Sequence, residues 1–327
     1  MIYIGVDLGG TKITAATFTN SGIVIDTESV LLGKTGGEKV GELIVAVVRR
    51  LLKRMAHTDN ECMSIGICVP GISYSKTGCV WCPNIPEWDN FPLLEYIRRF
   101  FPKAEVIIES DRTCYILGEA NSGCAKGCNN AVFMAVGTGI GLGILIDGIV
   151  LHGKSDIVGA IGWMALKPPY TCFYDQCGCY ETHASGDGIA TQAKKFLDET
   201  PGYDGPLRRV PAEEITSYHV FGEYDNGDEI AVKVIDQAIQ MWGMAAANVV
   251  SLFNPEKLIF GGGIFGPAVR FIGRIYEEAS KWAQPISIRE VEFLPTALPK
   301  MTGLYGAGAI AIQNAKVLIA RMHYYGD

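Results

Sequence analysis

Two glycine-lined turns, each set between apolar strands, constrain the fold of this 327-residue chain more than any other feature. The first is DLGGTK at 7–12 and the second is GTGIGLG at 137–143. Glycines let a phosphate approach backbone N–H groups, to which a hydroxyl and an ammonium can add directed bonds and charge. Either turn alone is also compatible with an ordinary or bulged hairpin. The candidate phosphate-binding residues are Asp7, Gly9, Gly10, Thr11, Lys12, Gly137, Thr138 and Gly139.

The pattern around the two turns is repeated, which indicates a duplicated α/β lobe. Helical periodicity predicts helices over 38–56, 91–100, 112–122 and 228–251, whereas 199–226 is polar and rich in turns. The turns fit neither the P-loop pattern nor a Rossmann fingerprint. Paired phosphate hairpins in duplicated lobes are what an ATP clamp of the actin and hexokinase superfamily requires. We therefore predict a two-lobed actin-like ATPase (ribonuclease H-like) fold, with duplicated β-sheets, flanking helices and an inter-lobe cleft.

No low-complexity linker separates the expected lobes, so the boundary must fall in a short connection near 120–130. We expect an N-terminal lobe over 1–122 and a C-terminal lobe over 123–303. The last helix, 304–327, is expected to pack back on the N-terminal lobe.

Charge and hydropathy exclude several classes of partner. The net charge of −7 comes without any long Lys/Arg cluster, which gives no electrostatic support for binding nucleic acid. The most apolar stretch, 132–146, contains four glycines and is shorter than the roughly 20 residues of a spanning helix. Without an export signal, we expect a cytoplasmic protein with no membrane segment, in which the ten cysteines are mainly free thiols.

A third glycine cluster, 261–263, follows the apolar strand KLIF. Glycines here let an adenosine lie against the backbone, so Gly261 and Gly262 are candidate nucleotide-binding residues. The alternative is a strand-to-helix turn that needs positive φ.

The order and spacing of seven segments resemble the ROK family of bacterial sugar kinases and repressors nearly end to end. The segments are DLGGTK, CVPG at 68–71, PNIPEW at 83–88, ESDR at 109–112, GTGIG at 137–141, GCYETHASG at 178–186 and NPEKLIFGGG at 254–263. Repressors of the family carry an additional N-terminal helix-turn-helix, whereas this sequence starts at the first phosphate strand. The resemblance therefore favours the kinase branch.

The resemblance implies that Asp111 is the catalytic base, which accepts a sugar hydroxyl's proton during phosphoryl transfer. The alternative for Asp111 is a helix N-cap, a role that it could also hold at the same time. ATP and Mg²⁺ are the implied cofactors, with Asp7 as the expected Mg²⁺ ligand, and a homodimer is the expected assembly. The implied sugar-binding residues are Gly71, Asn84, Ser110, Asp111, Glu181 and Trp163.

Three positions depart from the family's usual sugar site. The segment that usually reads Gly-Glu-x-Gly-His is Gly-Ala-Ile-Gly-Trp here, so that Ala160 and Trp163 replace two polar side chains, and Ser110 stands where Asn is usual. Lost hydrogen bonds to a ligand cost about 1–3 kcal/mol each. We expect either a different sugar, with an apolar or acetamido substituent against Trp163, or a protein that binds sugar without fast turnover.

The family's zinc loop is also altered. Cys172, Cys177 and Cys179 remain as possible ligands, but Tyr174 takes the place of a cysteine. Because tetrahedral zinc needs four N or S ligands, we expect a zinc-free loop packed by Trp163 and Tyr174.

Two functions remain as hypotheses from the sequence. The first is an ATP-dependent kinase for a hexose or hexosamine, with transfer to the C6 hydroxyl. The second is a catalytically drifted, sugar-binding or regulatory protein of the same fold without a DNA-binding domain. A polymerising actin-like ATPase is disfavoured, because the sugar-kinase segments would then have no purpose.

Overall fold

A computed structural model describes residues 2–59 and 63–325, with side chains described as far as Ala315. The strands, β1 to β12, are Ile2–Leu8, Lys12–Phe18, Val24–Leu31, Met63–Val69, Ile72–Tyr74, Cys79–Trp81, Glu105–Ser110, Ala131–Val136, Ile140–Ile146, Ile149–Val150, Lys257–Gly261 and Glu292–Pro295. The helices, α1 to α10, are Glu38–Arg54, Leu93–Phe100, Asp111–Ser122, Cys179–Ala184, Gly186–Glu199, Ser217–Asp225, Glu229–Phe253, Ile272–Ser280, Ser287–Glu290 and Thr302–Tyr325. The four helices predicted from periodicity correspond to α1, α2, α3 and α7.

The chain forms two compact units. The first contains the described residues up to 127 together with 150–158 and those from 297 onward, and the second contains 128–149 and 159–296. Two segments that we expected in the C-terminal lobe, 150–158 and 297–303, are thus part of the first unit. Hydrogen bonds hold both segments there, through the pairs His152–Glu109 and Ala297–Glu119.

Each unit is built on a five-stranded sheet of the same design. The first sheet has the order β3-β2-β1-β4-β7 and the second has the order β10-β9-β8-β11-β12. In each, an antiparallel hairpin (β1–β2 or β8–β9) is followed by two parallel strands beside its first strand. The two glycine-lined turns are the hairpin turns, so they occupy equivalent places in the two sheets.

Helices cover both faces of the first sheet. One face of α1 is completely buried through Val40, Ile44 and Val48, and it packs in the same hydrophobic cluster as β1 and β4. The C-terminal helix α10 contacts β1, β4 and α3. No helix in the described part of the chain combines the length and the apolar character that crossing a bilayer requires.

The backbone of α10 lies directly on the sheet, because glycines face it from β1 and β4. A Cβ added at Gly66 would lie 2.1 Å from the backbone oxygen of Ala307, and one at Gly5 would lie 2.6 Å from the backbone nitrogen of Gly308. Such distances leave no room for a methyl group unless α10 moves. The glycines of β1 and β4 therefore set how closely the last helix can approach the strand that carries Asp7.

Replacing Gly66 with Ala tests this close packing. Because the new methyl group meets backbone, we expect the Gly66→Ala variant to lose about 1–3 kcal/mol of unfolding free energy or more, measured by urea denaturation. The matched control is Gly273→Ala on α8, where an added Cβ meets no atom within 4 Å. We expect that control to be slightly stabilised, because Ala favours a helix interior over Gly. Equal stabilities of the two variants would contradict direct backbone contact.

Candidate functional site

The junction between β7 and α3 presents the carboxylate of Asp111. Ser110 is the N-cap of α3, and its hydroxyl accepts a hydrogen bond from the N–H of Thr113 at 3.3 Å. Asp111 is the first residue of the helix, and its carboxylate accepts from the N–H of Arg112 at 2.8 Å. Ser110 therefore caps the helix, and the Asp111 side chain is not needed for that task.

Asp7 lies near the end of β1 and Asp111 directly follows β7, with β4 between these two strands in the first sheet. In the parallel ladders, Asp7 pairs with Cys68 on β4, and the next residue on β4, Val69, pairs with Ser110 on β7. Burial raises the pKa of Asp111 to about 6, to which the nearby Asp7 carboxylate contributes while Arg112 opposes the shift. Burial also raises the pKa of Asp7, against the lowering effects of the Cys68 thiol and Lys12. Asp7 and Asp111 thus both hold their protons more tightly than an exposed aspartate does.

The first glycine-lined turn lies next to one predicted sugar-binding residue. The turn is closed by a hydrogen bond from the N–H of Gly9 to the carbonyl of Lys12, and Gly10, Thr11 and Lys12 are exposed. A Cβ at Gly10 would lie 3.8 Å from the Cβ of Asn84, whose side chain is also exposed. The first unit therefore brings the turn and Asn84 together.

Gly71 follows the end of β4, where the chain passes close to β6. A Cβ at Gly71 would lie 2.0 Å from the backbone oxygen of Trp81, so a larger residue does not fit. Trp88, which could also have lined a cleft, belongs to the core: it is 1% exposed, stacks on Phe91 and donates its indole N–H to Gly37.

In the second unit, Glu181 contacts the second glycine-lined turn. Its carboxylate accepts a hydrogen bond from the N–H of Ile140 at 2.6 Å, and a Cβ at Gly139 would lie 2.9 Å from the same oxygen. Burial raises the pKa of Glu181, which the bond from Ile140 partly offsets. The absence of a side chain at Gly139 therefore admits Glu181, and this carboxylate is already engaged by backbone of the turn.

A cavity of about 690 Å³ opens beside the same turn within the second unit. Gly137 and Thr138 form one wall, and the first residues of α5 and α6 form others. The carbonyl of Gly137 accepts from the N–H of Gly186 at the start of α5, at 2.7 Å. Helix N-termini carry partial positive charge and favour anions. The full lining is Gly137, Thr138, Gly186, Asp187, Ala190, Thr191, Lys194, Glu213, Ile215, Thr216, Ser217, Tyr218, Gly263 and Ile264.

The third glycine cluster meets this cavity through Gly263, whereas Gly261 and Gly262 are not among the lining residues. A Cβ at Gly261 would lie 2.2 Å from the ring of Phe133, and one at Gly262 would lie 2.3 Å from the backbone oxygen of Val136. Gly262 also has a positive φ of 91°. These contacts and the positive φ fit the alternative of a strand-to-helix turn after β11.

Sequence reasoning missed α5 and α6, which supply half of the residues that line the cavity. The turn-rich segment 199–226 contains α6, whose N-cap Thr216 forms a capping box with His219. Ser185 caps α5 by accepting from the N–H of Gly188 at 2.9 Å. A Ser or Thr N-cap ahead of a short apolar repeat was the signal available in both cases.

Trp163 and the altered cysteine loop lie together at the surface of the second unit. Trp163 is 57% exposed and lines a cavity of about 440 Å³ with Tyr170, Tyr174 and Lys167. Ala160 precedes the short 3₁₀ turn Ile161–Trp163. Trp163 and Tyr174, which we expected to pack about this loop, thus line the same cavity.

The residues of this loop do not fit a zinc site. Both ring nitrogens of His183 are engaged, one with the Tyr174 hydroxyl at 3.1 Å and the other with the Gln237 amide at 2.7 Å. Cys177 contacts the Thr182 hydroxyl at 3.3 Å, and Cys172 is exposed. Among the residues whose side chains the structure describes, no three His, Cys, Asp or Glu side chains form a group that could hold a metal ion.

The raised pKa of Asp111 predicts a more stable Asn variant. A folded-state pKa of about 6, above the ordinary 3.8, means that stability contributed by the bound proton is present at low pH and is lost as the pH rises through 6. Asn stays neutral, so Asp111→Asn should exceed the parent's unfolding free energy at pH 7.5 by about 1–3 kcal/mol. The difference should vanish below pH ~4, where both are neutral. Denaturation at several pH values measures it, and a less stable variant at pH 7.5 would contradict the assignment.

The hydrogen bonds of His183 predict stability without zinc. Tyr174→Phe removes one bond to the imidazole and should cost about 1 kcal/mol, whereas a chelator should leave the parent's melting temperature unchanged. Tyr170→Phe is the matched control, because the Tyr170 hydroxyl bonds Asp175 on the same loop with 73% of the residue exposed, and an exposed bond contributes little. Stoichiometric zinc in the purified protein, measured by elemental analysis, would overturn this prediction.

Comparisons with known proteins agree in one family. The family model named ROK matches residues 3–314. A glucokinase from Halalkalibacterium halodurans is 30% identical over 315 residues, which cover 95% of this chain and 95% of that relative.

Two solved structures share the fold over nearly the whole chain. The ROK hexokinase from Thermus thermophilus superposes with a TM-score of 0.79 at 26% identity, covering 97% of this chain and 100% of that one. A ROK family glucokinase from Streptomyces griseus, solved in complex with glucose and AMPPNP, gives a TM-score of 0.73 at 26% identity, covering 96% and 100%. The predicted α/β fold of the actin-like ATPases is thereby confirmed. With a family model that spans nearly all of the sequence and neighbours that repeat both sheets, this chain belongs to the ROK family.

Proposed function

We propose that this protein is an ATP-dependent sugar kinase that transfers the γ-phosphoryl group to a hydroxyl of a hexose or hexosamine. The observation that carries the proposal is the Asp111 carboxylate at the carboxyl end of β7, with a pKa raised to about 6. A general base works best when its pKa lies near the working pH. The glucokinase and hexokinase relatives support the same reaction class.

ATP is proposed to occupy the 690 Å³ cavity of the second unit. This volume lies within the range of roughly 300–1,000 Å³ that is usual for small-molecule sites. The start of α5 and the turn at Gly137 and Thr138 supply N–H groups and a hydroxyl for phosphates, and Lys194 supplies a positive charge. Tyr218, which is 68% exposed, offers an aromatic face for the base. The structure of the Streptomyces griseus relative with AMPPNP supports a nucleotide site in a chain of this fold.

The first unit offers carboxylates that suit Mg²⁺. Mg²⁺ is usually bound by one or two carboxylates together with the phosphates of a substrate. The Asp7 carboxylate raises the pKa of Asp111, and a cation beside Asp7 would offset the repulsion between the two acids. When bound, Mg²⁺ neutralises charge that develops on the transferring phosphoryl group.

The reaction balances with Asp111 as proton acceptor. The sugar hydroxyl oxygen forms a bond to the γ-phosphorus as the bond from that phosphorus to the β–γ bridging oxygen breaks. ADP leaves with that electron pair, and the hydroxyl proton moves to Asp111. Ser110 holds the carboxylate at the start of α3, and Asn84 offers an amide to a sugar hydroxyl beside the first glycine-lined turn. We propose the C6 hydroxyl as the acceptor, since a primary hydroxyl is the least crowded.

The altered positions in the second unit bear on which sugar is used. Ala160 and Trp163 offer no charged or carboxamide group, and Trp163 presents a largely exposed indole. An apolar or acetamido substituent can pack on an indole face. We therefore propose that a hexosamine derivative competes well with glucose as substrate.

Phosphorylation of a sugar panel, followed by coupled ADP detection, tests the function. The parent should turn over at least one hexose or hexosamine, with kcat/KM falling as the pH drops below about 6, because the base becomes protonated. Asp111→Asn should lower kcat by about 10²–10⁴-fold, while AMPPNP still raises its melting temperature. Asp59→Asn, which removes a surface ion pair with Arg49, is the control and should keep parental activity.

The alternative, a drifted sugar-binding or regulatory protein, is favoured by the missing polar groups at Ala160 and Trp163. It predicts a folded protein that is stabilised by a sugar, gains nothing from AMPPNP and phosphorylates no sugar in the panel. That combination would contradict the kinase proposal.

A further inference from the structure

Glu119 is a completely buried carboxylate that the proposed reaction does not use. It lies on α3, eight residues after Asp111, and its exposed fraction is 0%. Eight residues of α-helix span about 12 Å, so the two acids lie a little over two turns apart on one rigid element. Burying a carboxylate is costly unless hydrogen bonds compensate, and the partners of Glu119 therefore indicate its role.

The two oxygens of Glu119 hold two different segments of the chain. One oxygen accepts from the backbone N–H of Cys124 at 2.8 Å and from its thiol at 3.2 Å. The other accepts from the backbone N–H of Ala297 at 3.1 Å. Burial, with a contribution from Glu119, raises the pKa of the Cys124 thiol to about 12, so that the thiol keeps its proton and can donate.

Both segments adjoin places where the chain passes between the two units. The passages are at 127/128 and 296/297, so Cys124 lies just before the first and Ala297 directly after the second. Gly123 makes room for this arrangement, since a Cβ there would lie 2.0 Å from a Glu119 oxygen. A single carboxylate thus joins an early and a late segment of the sequence on α3.

The chain also passes between the units at 149/150 and at 158/159. The segment between these two points is held at β7, the strand that precedes Asp111. His152 in this segment pairs with Glu109 at 3.0 Å, and Asp156 accepts from the N–H of Ser75 at 3.0 Å. Glu109 lies on β7, two residues before Asp111. The strand and helix that flank Asp111 therefore carry an anchor for each chain segment that enters or leaves the first unit.

We propose that Glu119 is a positioning residue, which fastens the segments at Cys124 and Ala297 to the helix that begins with Asp111. Loosening this fastening lowers turnover, because α3 and the two segments no longer keep one arrangement. Nucleotide binding to the second unit is retained, since Glu119 does not line the cavity there. The effect on turnover rests on the proposed kinase function, whereas the fastening itself does not.

The Glu119→Gln substitution tests the hold on the two segments with little change in the shape of the side chain. Glutamine keeps one acceptor oxygen and replaces the other with an NH₂ group, which cannot accept a hydrogen bond. The oxygen that holds Cys124 lies 3.5 Å from the Ala297 nitrogen, at the limit of a hydrogen bond, so a single acceptor oxygen holds at least one of the two segments less tightly. Glu95→Gln is the matched control, because Glu95 lies on α2 of the same unit with 69% of its side chain exposed.

Hydrogen exchange and kinetics together test the proposal. In the parent, the amides of Cys124 and Ala297 should be as protected as those within α3. In Glu119→Gln, at least one of the two amides should exchange about tenfold faster or more. With a substrate sugar, kcat should fall about tenfold while KM for ATP stays within about twofold. Glu95→Gln should match the parent in every readout.

Each failure has a distinct meaning. Unprotected amides at 124 and 297 in the parent, or protection unchanged in Glu119→Gln, would overturn the fastening. Faster exchange with parental kcat would show that Glu119 is structural and not a positioning residue. If the parent phosphorylates no sugar, the kinase function fails, yet the exchange data still decide whether Glu119 holds the segments. If Glu119→Gln does not fold, Gly123→Ala, which displaces the same carboxylate from the Cys124 side, gives the comparison.

Discussion

The hydrogen bond from the Thr113 N–H to the Ser110 hydroxyl is the interaction on which the candidate site depends. It ends β7 and begins α3 within one residue, and so it places the Asp111 carboxylate at a strand end without using that carboxylate as a cap. The same strand end lies in register with β4 and, through it, with Asp7 on β1. Burial raises the pKa of both acids, and the nearby Asp7 carboxylate raises that of Asp111 further. Ser110 provides this cap and offers no amide that could reach a ligand.

The second unit repeats the sheet but uses its glycine-lined turn differently. In the first unit the turn is exposed beside Asn84, whereas in the second it is tied to Glu181 and to the start of α5. A hairpin that is fastened on both sides has a defined shape before any ligand arrives. Preorganised N–H groups of this kind lose little freedom on binding a phosphate. The duplication thus supplies two copies of one backbone geometry with separate surroundings.

Much of the fold followed from patterns in the sequence, and much of the site did not. Helical periodicity identified α1, α2, α3 and α7, because their apolar residues recur on one face, and the glycine turns identified both hairpins. The pattern could not separate Gly263, which lines the cavity, from Gly261 and Gly262, which pack against Phe133 and Val136. That difference depends on which atoms of the neighbouring strand β8 lie next to each glycine. The cavity itself escaped notice because α6 begins within a polar, turn-rich segment, where its Thr216 cap is a short-range signal without a long apolar repeat.

The position of α10 also has a consequence for how the protein is made. Its backbone covers β1 and β4 at glycine contacts, so residues from the very end of the chain complete one face of a sheet built from its beginning. On the ribosome, domains generally fold as units, from the N-terminus onward. Here β1 and β4 must wait with one apolar face uncovered until α10 has been synthesised. The second unit, whose residues are contiguous but for one short excursion, can fold first, and the first-made half of the protein is then the last to become native.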